Sequence, residues 1–233
     1  MATYVISDIH GEYEKFIQLL KIISFTNKDT LYILGDFIDR GKHPIKVIQE
    51  MMKHPNIIPI LGNHEFMALT CLPFLNDEME VDPMTKYDIK LMMAFINWKL
   101  NGSDTTLNEM RSLDKQTRTQ VLRYLCSCVA YQQFNLCNKQ YILVHGGLEN
   151  FNPNKKLNEY SLYDLVWNRP DYSKIYYQDK YLVTGHTPTQ LIKGAQPGKI
   201  YKKNNHIAID CGATYGGRLA AYCFETNKEF YSD

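Results

Sequence analysis

The chain has 233 residues, enough to bury a substantial core and near the upper end of what one domain holds, so a single domain over 1–233 is expected. Hydrophobic residues at 45% and charged residues at 22% exclude the disordered and fibrous classes, and a formal net charge of +1 excludes a general pull toward nucleic acid or anionic membranes. Any preference for a charged ligand must therefore come from a local site.

In chain order, Thr3 to Ser7 reads as a strand, and Phe16, Leu19, Leu20 and Ile23 then repeat at helical spacing. Thr30 to Leu34 predicts a second strand, Pro44 to Lys53 a helix opened by proline, and Asn56 to Leu61 a third strand. A β-α-β-α-β unit follows, and open α/β sheets bind ligands at the carboxyl ends of their strands. From Glu65 to about Ala130 the mixed polar and apolar pattern changes to one that suits helices, here read as a helical cap over 66–130. Its Trp98, Phe95 and Tyr87 read as core residues rather than substrate platforms, because aromatic residues at helical spacing pack inward. Strands return at Gln140 to Val144, Tyr181 to Thr184, His206 to Asp210 and Leu219 to Phe224.

No run approaches the roughly eighteen apolar residues of a membrane helix, and the N-terminus lacks the pattern of a secretory leader, so a cytoplasmic protein is expected. Cys71, Cys126, Cys128, Cys137, Cys211 and Cys223 form no C-x-x-C pair; reduced and mostly buried thiols are expected.

The residues suited to chemistry lie at the strand ends. Asp8 and His10, in SDIHGEY, are two apart and share one side if the strand continues, and Gly11 lets the chain turn past them. In GDFIDRG, Asp36 could bridge two cations, with Asp39 and Arg40 close behind; the bland alternative for those two is a surface ion pair worth little. GNHE offers the Asn63 amide oxygen and the titratable His64, while VHGGL and VTGHTPT place His145 and His186 after further strands. His43, His54 and His206 lack comparable neighbours and default to structure or surface.

The motifs SDIHG, GDFIDRG, GNHE, HGG and GHT, in that order over residues 7–187, resemble the phosphoprotein phosphatase (PPP) family of the calcineurin-like metallophosphoesterases, in the style of its small bacterial and phage serine/threonine phosphatases. The resemblance implies an α+β fold of the α/β type: a β-sandwich of mixed sheets flanked by helices, with a helical cap insertion. It implies one divalent ion on Asp8, His10 and a bridging Asp36, and a second on Asp36, Asn63, His145 and His186. Mn²⁺ is the expected occupant of both, with iron or zinc also suited to mixed oxygen and nitrogen ligands. It further implies single-step in-line attack by a metal-bridging hydroxide, His64 protonating the leaving oxygen, Asp39 orienting His64, and Arg40 and Arg169 clamping phosphate. Two departures stand out: Ser7 replaces the usual first glycine, and IDCGATYGGRLAAY stands where eukaryotic members carry another segment.

The DRG and GNHE forms favour a serine/threonine protein phosphatase, with phosphotyrosine within reach, acting on a phosphorylated protein or small phosphoester. Symmetrical dinucleoside tetraphosphate hydrolysis is the alternative, and a catalytically silent binding module comes third. Neither nucleic acid nor membrane is an expected partner.

Overall fold

A computed structural model describes residues 1–76 and 88–233. The β-α-β-α-β unit is present as β1 (Thr3–Ile6), α1 (Tyr13–Ile22), β2 (Thr30–Leu34), α2 (Pro44–Met52) and β3 (Ile57–Ile60). A run of helices follows: α3 (Asn63–Thr70), α4 (Leu72–Asn76), α5 (Ile89–Leu100), α6 (Asp104–Ser112) and α7 (Lys115–Cys126). The remainder comprises β4 (Gln132–Leu136), β5 (Lys139–Leu143), α8 (Leu162–Val166), β6 (Lys180–Thr184), β7 (Tyr201–Lys203), β8 (His206–Ala208), β9 (Leu219–Cys223) and β10 (Glu229–Ser232).

Helix boundaries follow local chemistry. Pro44 opens α2, where its missing N–H is one that the first turn leaves unbonded in any case. Asp88 and Asp114 accept the Leu91 and Thr117 amides at the starts of α5 and α7, each cap stabilising its helix by about 1 kcal/mol.

The strands form two five-stranded sheets, in the orders β10-β9-β1-β2-β3 and β4-β5-β6-β8-β7. Each is mixed: β1, β2 and β3 run parallel in the first, β5, β6 and β8 in the second, and the flanking pairs are antiparallel. The sheets pack face to face, with Val5, Tyr32, Leu34 and Ile60 meeting Tyr141, Leu143, Val183 and Ile207 in one core. The other face of the first sheet buries Ile6, Leu31 and Ile33 against Phe16, Val47, Ile48, Trp98, Leu107 and Val121 of the helices. Loops and α8 cover the outer face of the second sheet through Leu157, Tyr160 and Leu165.

β4, β7 and β10 were not expected, and all three are sheet edges. Their sequences (QQFNL, YKK and EFYS) lack a sustained apolar pattern, since an edge strand need not be apolar on both faces. Trp98 is fully buried and Phe95 packs beside it, as core residues should, whereas Tyr87 lies outside the described residues. The cysteines divide: Cys71, Cys211 and Cys223 are buried and Cys128 half-buried, but Cys126 and Cys137 are exposed, because they sit at a helix end and in a hairpin turn. All six are free thiols. Among the described residues no helix is long and apolar enough to cross a membrane.

Candidate active site

The carboxyl ends of six parallel strands meet at one end of the sandwich. β1 leads to Asp8 and His10, β2 to Asp36, Asp39 and Arg40, β3 to Asn63 and His64, β5 to His145, β6 to His186 and β8 to Asp210. Asn63 and His64 sit on the first turn of α3 rather than in a loop. The two sheets are tied together there: the His186 N–H donates to Asp8 Oδ2 at 3.0 Å, and His145 Nε2 lies 3.4 Å from Asp36 Oδ1.

The backbone is bent sharply to achieve this. Asp8, His10, Asp36, Asp39, Arg40 and His186 all have positive φ, between 44° and 67°. Such conformations are uncommon outside glycine and gather at functional sites, where surrounding contacts must impose them. Those contacts are present: Asp8, His10 and Gly11 donate their N–H groups to the carbonyls of Gly35, Asp36 and Phe37, and Arg40 N–H donates to Gly102 at 2.9 Å. Gly35 is obligatory for space as well as conformation, since a Cβ there would lie 2.4 Å from Gly62 Cα.

Glu65 holds the second loop from below. Its carboxylate accepts the N–H groups of Asp36 (2.7 Å), Phe37 (2.9 Å), Ile38 (3.2 Å) and Gly62 (3.0 Å). Burial, with the Asp36 charge nearby, pushes the carboxyl up to about 7; four amide donors oppose that shift and match the acceptors of a carboxylate.

Around Asp36 the imidazoles are preset. His10 Nδ1 donates to Ile38 O at 3.0 Å and His145 Nδ1 to Leu34 O at 2.5 Å, which turns both Nε2 atoms toward the Asp36 carboxylate. Two groups result, His10 with Asp36 and His64, and Asp36 with His145 and His186, each with potential ligand atoms within 4.8 Å of one another. Asp36 belongs to both. Asn63 Oδ1 lies 2.9 Å from His145 Nε2, and Asp8 Oδ2 is engaged by Ser7 Oγ and the His186 amide. The donor set fits a pair of cations: two carboxylates, an amide oxygen and the imidazoles of His10, His145 and His186 converge around Asp36. Beside them the fully buried His64 Nε2 faces Asp36 Oδ2 at 3.9 Å without a hydrogen-bond partner.

Electrostatics match this crowding. Burial pushes Asp8 up to about 6 although His145 pulls it back. His145, despite burial, is carried up to about 10 by Asp36 and Asp8, while burial and the His145 charge take His186 down to about 3. Burial raises Asp36 too, but the neighbouring imidazoles outweigh it and hold the carboxyl well below its usual range. Perturbation of this size in both directions within one cluster is a mark of functional sites.

Next to the cluster, His64 Nδ1 donates to Asp39 Oδ2 at 2.7 Å. Arg40 Nη1 donates to His10 Nε2 at 2.7 Å, with its guanidinium 5.5 Å from the Tyr215 ring centre. Arg169 is exposed and donates to His186 O and Thr187 Oγ1. Asp8, Asp36, Arg40, Asn63, Arg169 and His186 all line one cavity of about 340 Å³, which thus gathers both expected arginines above Asp36.

Several contributors escape sequence reading. Asp210 lines the same cavity, buried, and burial together with Asp8 holds its carboxyl well above the usual range; like Asp36 it lies just beyond the end of a strand, with Gly212 two positions on, which was an available signal. Glu65 stands three residues beyond Gly62 at the start of α3, the position from which a carboxylate reaches back to the amide that opens a helix, though Gly62 has no side chain to complete a capping box. Tyr215, Trp167 and Gln190 are part of the same wall, and Trp98 and Thr106 reach Asp39 from distant helices, where no local pattern could announce them.

A model of the calcineurin-like phosphoesterase family matches residues 1–221. The chain is 36% identical over 102 residues to a symmetrical bis(5'-nucleosyl)-tetraphosphatase of Wigglesworthia glossinidia brevipalpis, a match covering 41% of this chain and 38% of that protein. It is 26% identical over 254 aligned positions to the asymmetrical bis(5'-nucleosyl)-tetraphosphatase PrpE of Oceanobacillus iheyensis, covering 98% of this chain and 90% of the relative. Among solved structures, a provisionally assigned diadenosine tetraphosphatase superposes with a TM-score of 0.66 at 19% identity, over 98% of this chain and 91% of the other. A Saccharomyces cerevisiae protein serine/threonine phosphatase superposes with a TM-score of 0.58 at 14% identity, over 100% and 80%. At these identities the structural likeness speaks to the fold. The fold, the groups able to hold a cation and the family match agree, and the chain belongs to the calcineurin-like phosphoesterase family of hydrolases.

Proposed function

We propose that this protein hydrolyses the phosphate chain of dinucleoside tetraphosphates, using two divalent ions, Mn²⁺ foremost, held by Asp8, His10, Asp36, Asn63, His145 and His186. The observation that carries this reading is the cavity lining: one arginine, Arg40, lies beside the Tyr215 ring, and the other, Arg169, beside His186, whose ring is 6.1 Å from that of Trp167. Guanidinium groups suit successive phosphates of an extended polyanion, and the aromatic faces next to them, the exposed Tyr215 and the half-buried Trp167, suit the bases at its ends. The relatives named for dinucleoside tetraphosphates support the same substrate class.

Bound at Asp36, the ions would neutralise phosphate charge and lower the pKa of water. The chain's own residues do the remainder. Arg40 and Arg169 orient phosphate oxygens, Glu65 fixes the loop carrying Asp36, and His64, held by Asp39, supplies a proton to the departing oxygen.

A second reading, removal of phosphate from phosphoserine or phosphothreonine in proteins, is favoured by the buried Asp39–His64 pair, since a proton donor matters most when an alkoxide leaves. A test in one Mn²⁺ buffer compares diadenosine tetraphosphate with a phosphoserine peptide and identifies the nucleotide products. Higher kcat/KM for the dinucleotide is expected, with two ADP marking symmetrical and ATP plus AMP asymmetrical cleavage. Preference for the peptide would install the second reading. Absence of turnover on both, and on para-nitrophenyl phosphate, with metal bound would leave a silent binding module. Asp36→Asn should abolish both metal uptake and turnover.

A further inference from the structure

Asp39 is reached by the helical segment as well as by its own loop. It is fully buried, and its carboxylate is used at both oxygens: Oδ2 accepts His64 Nδ1 at 2.7 Å and the Trp98 indole Nε1–H at 2.7 Å, and Oδ1 accepts Thr106 Oγ1 at 2.5 Å. The same Thr106 oxygen accepts the Asp39 N–H at 2.9 Å. Asp39 has φ of 67°, a conformation that such an outside contact must hold in place. Trp98 and Thr106 lie 59 and 67 residues further along the chain, on α5 and α6. The turn between these helices also grips the next residue, with Gly102 O accepting the Arg40 N–H.

A carboxylate with one partner can rotate about its Cβ–Cγ bond, and an imidazole hung from it follows. Donors on both oxygens fix the carboxylate plane, and with it the direction of His64 Nε2, which here faces Asp36. For packing alone the indole nitrogen is superfluous, because a phenyl ring would fill most of the same volume. We propose that Trp98 and Thr106 are positioning residues for the Asp39–His64 pair, so that the helical segment between β3 and β4 aims the proton donor. This inference rests on hydrolysis of phosphoesters and on the role of His64 given above.

The test uses full-length Trp98→Phe, Thr106→Val and Thr106→Ser with phenyl phosphate and para-nitrophenyl phosphate in Mn²⁺. Phenolate needs a proton to leave and para-nitrophenolate hardly does. For Trp98→Phe and Thr106→Val, kcat on phenyl phosphate should fall about ten-fold or more, and on para-nitrophenyl phosphate less than about three-fold. KM and metal content should be unchanged, and Thr106→Ser should restore wild-type rates. In a His64→Asn background, Trp98→Phe should add no further loss. Equal losses on both substrates, or losses that multiply in the double variant, would reduce Trp98 and Thr106 to packing and overturn the proposal. If Trp98→Phe fails to fold, the Thr106 pair decides by the same criterion. Wild-type turnover with a loss in His64→Asn keeps the underlying reading standing even when the positioning variants behave as wild type; no wild-type turnover on either ester removes both.

Discussion

Replacing Glu65 by glutamine changes one oxygen to nitrogen and leaves the shape of the side chain in place. In the native protein the two oxygens accept four main-chain N–H groups, two each: Phe37 and Ile38 on Oε1, Asp36 and Gly62 on Oε2. Whichever way the new amide is turned, its NH₂ meets two of these donors and can accept from neither. Leaving a buried donor unsatisfied costs about 1–3 kcal/mol, so two give about 2–6 kcal/mol, with about 4 as the central value. Loss of the negative charge relieves repulsion with Asp36, which offsets a part of this. A chain of this size shifts about 2–4 °C per kcal/mol, so Glu65→Gln should melt roughly 8–16 °C below wild type. Calorimetry and urea midpoints on the metal-free protein measure it, and metal titration should show weaker uptake because the Asp36 loop loses its support. A variant within about 0.5 kcal/mol of wild type would refute the claim that Glu65 carries that loop.

Gly35→Ala should be damaging for a different reason. Its Cβ would lie 2.4 Å from Gly62 Cα and 2.9 Å from His145 Nδ1 at a φ of 70°, so a loss of about 3 kcal/mol or more is expected in denaturant titration, and a neutral result would contradict the close approach of these strand ends. His206 is buried, 2.9 Å from Thr184 Oγ1, and burial takes its pKa down to about 3. The unfolded chain therefore binds a proton near pH 6.5 that the folded chain refuses until about pH 3, so this contribution to stability is intact above 6.5 and lost as pH falls. At pH 5 the loss is about 2 kcal/mol, and the gap in unfolding free energy between wild type and His206→Gln should close by that amount between pH 7 and 5. Parallel stability curves would show that His206 is protonated in the folded state.

The strand ends were legible because each pairs an apolar run with a small residue and a ligand. GDFIDRG and GNHE need glycine where two backbones pass within a Cβ's reach, and acid, amide or imidazole immediately after; both requirements are local and leave a mark in the string. Burial of Phe16, Leu19, Val47 and Ile48 likewise follows from spacing alone. The edge strands β4, β7 and β10 were not legible, since their pairing is decided by a neighbour rather than by their own pattern. Tertiary structure alone decided that Trp98 and Thr106 meet Asp39, that Asp210 faces Asp8, and that Tyr215 and Trp167 border the arginines. A hydrogen bond across 59 residues has no periodicity to betray it, because it depends on where two helices cross the sheet rather than on what precedes or follows either residue in the chain.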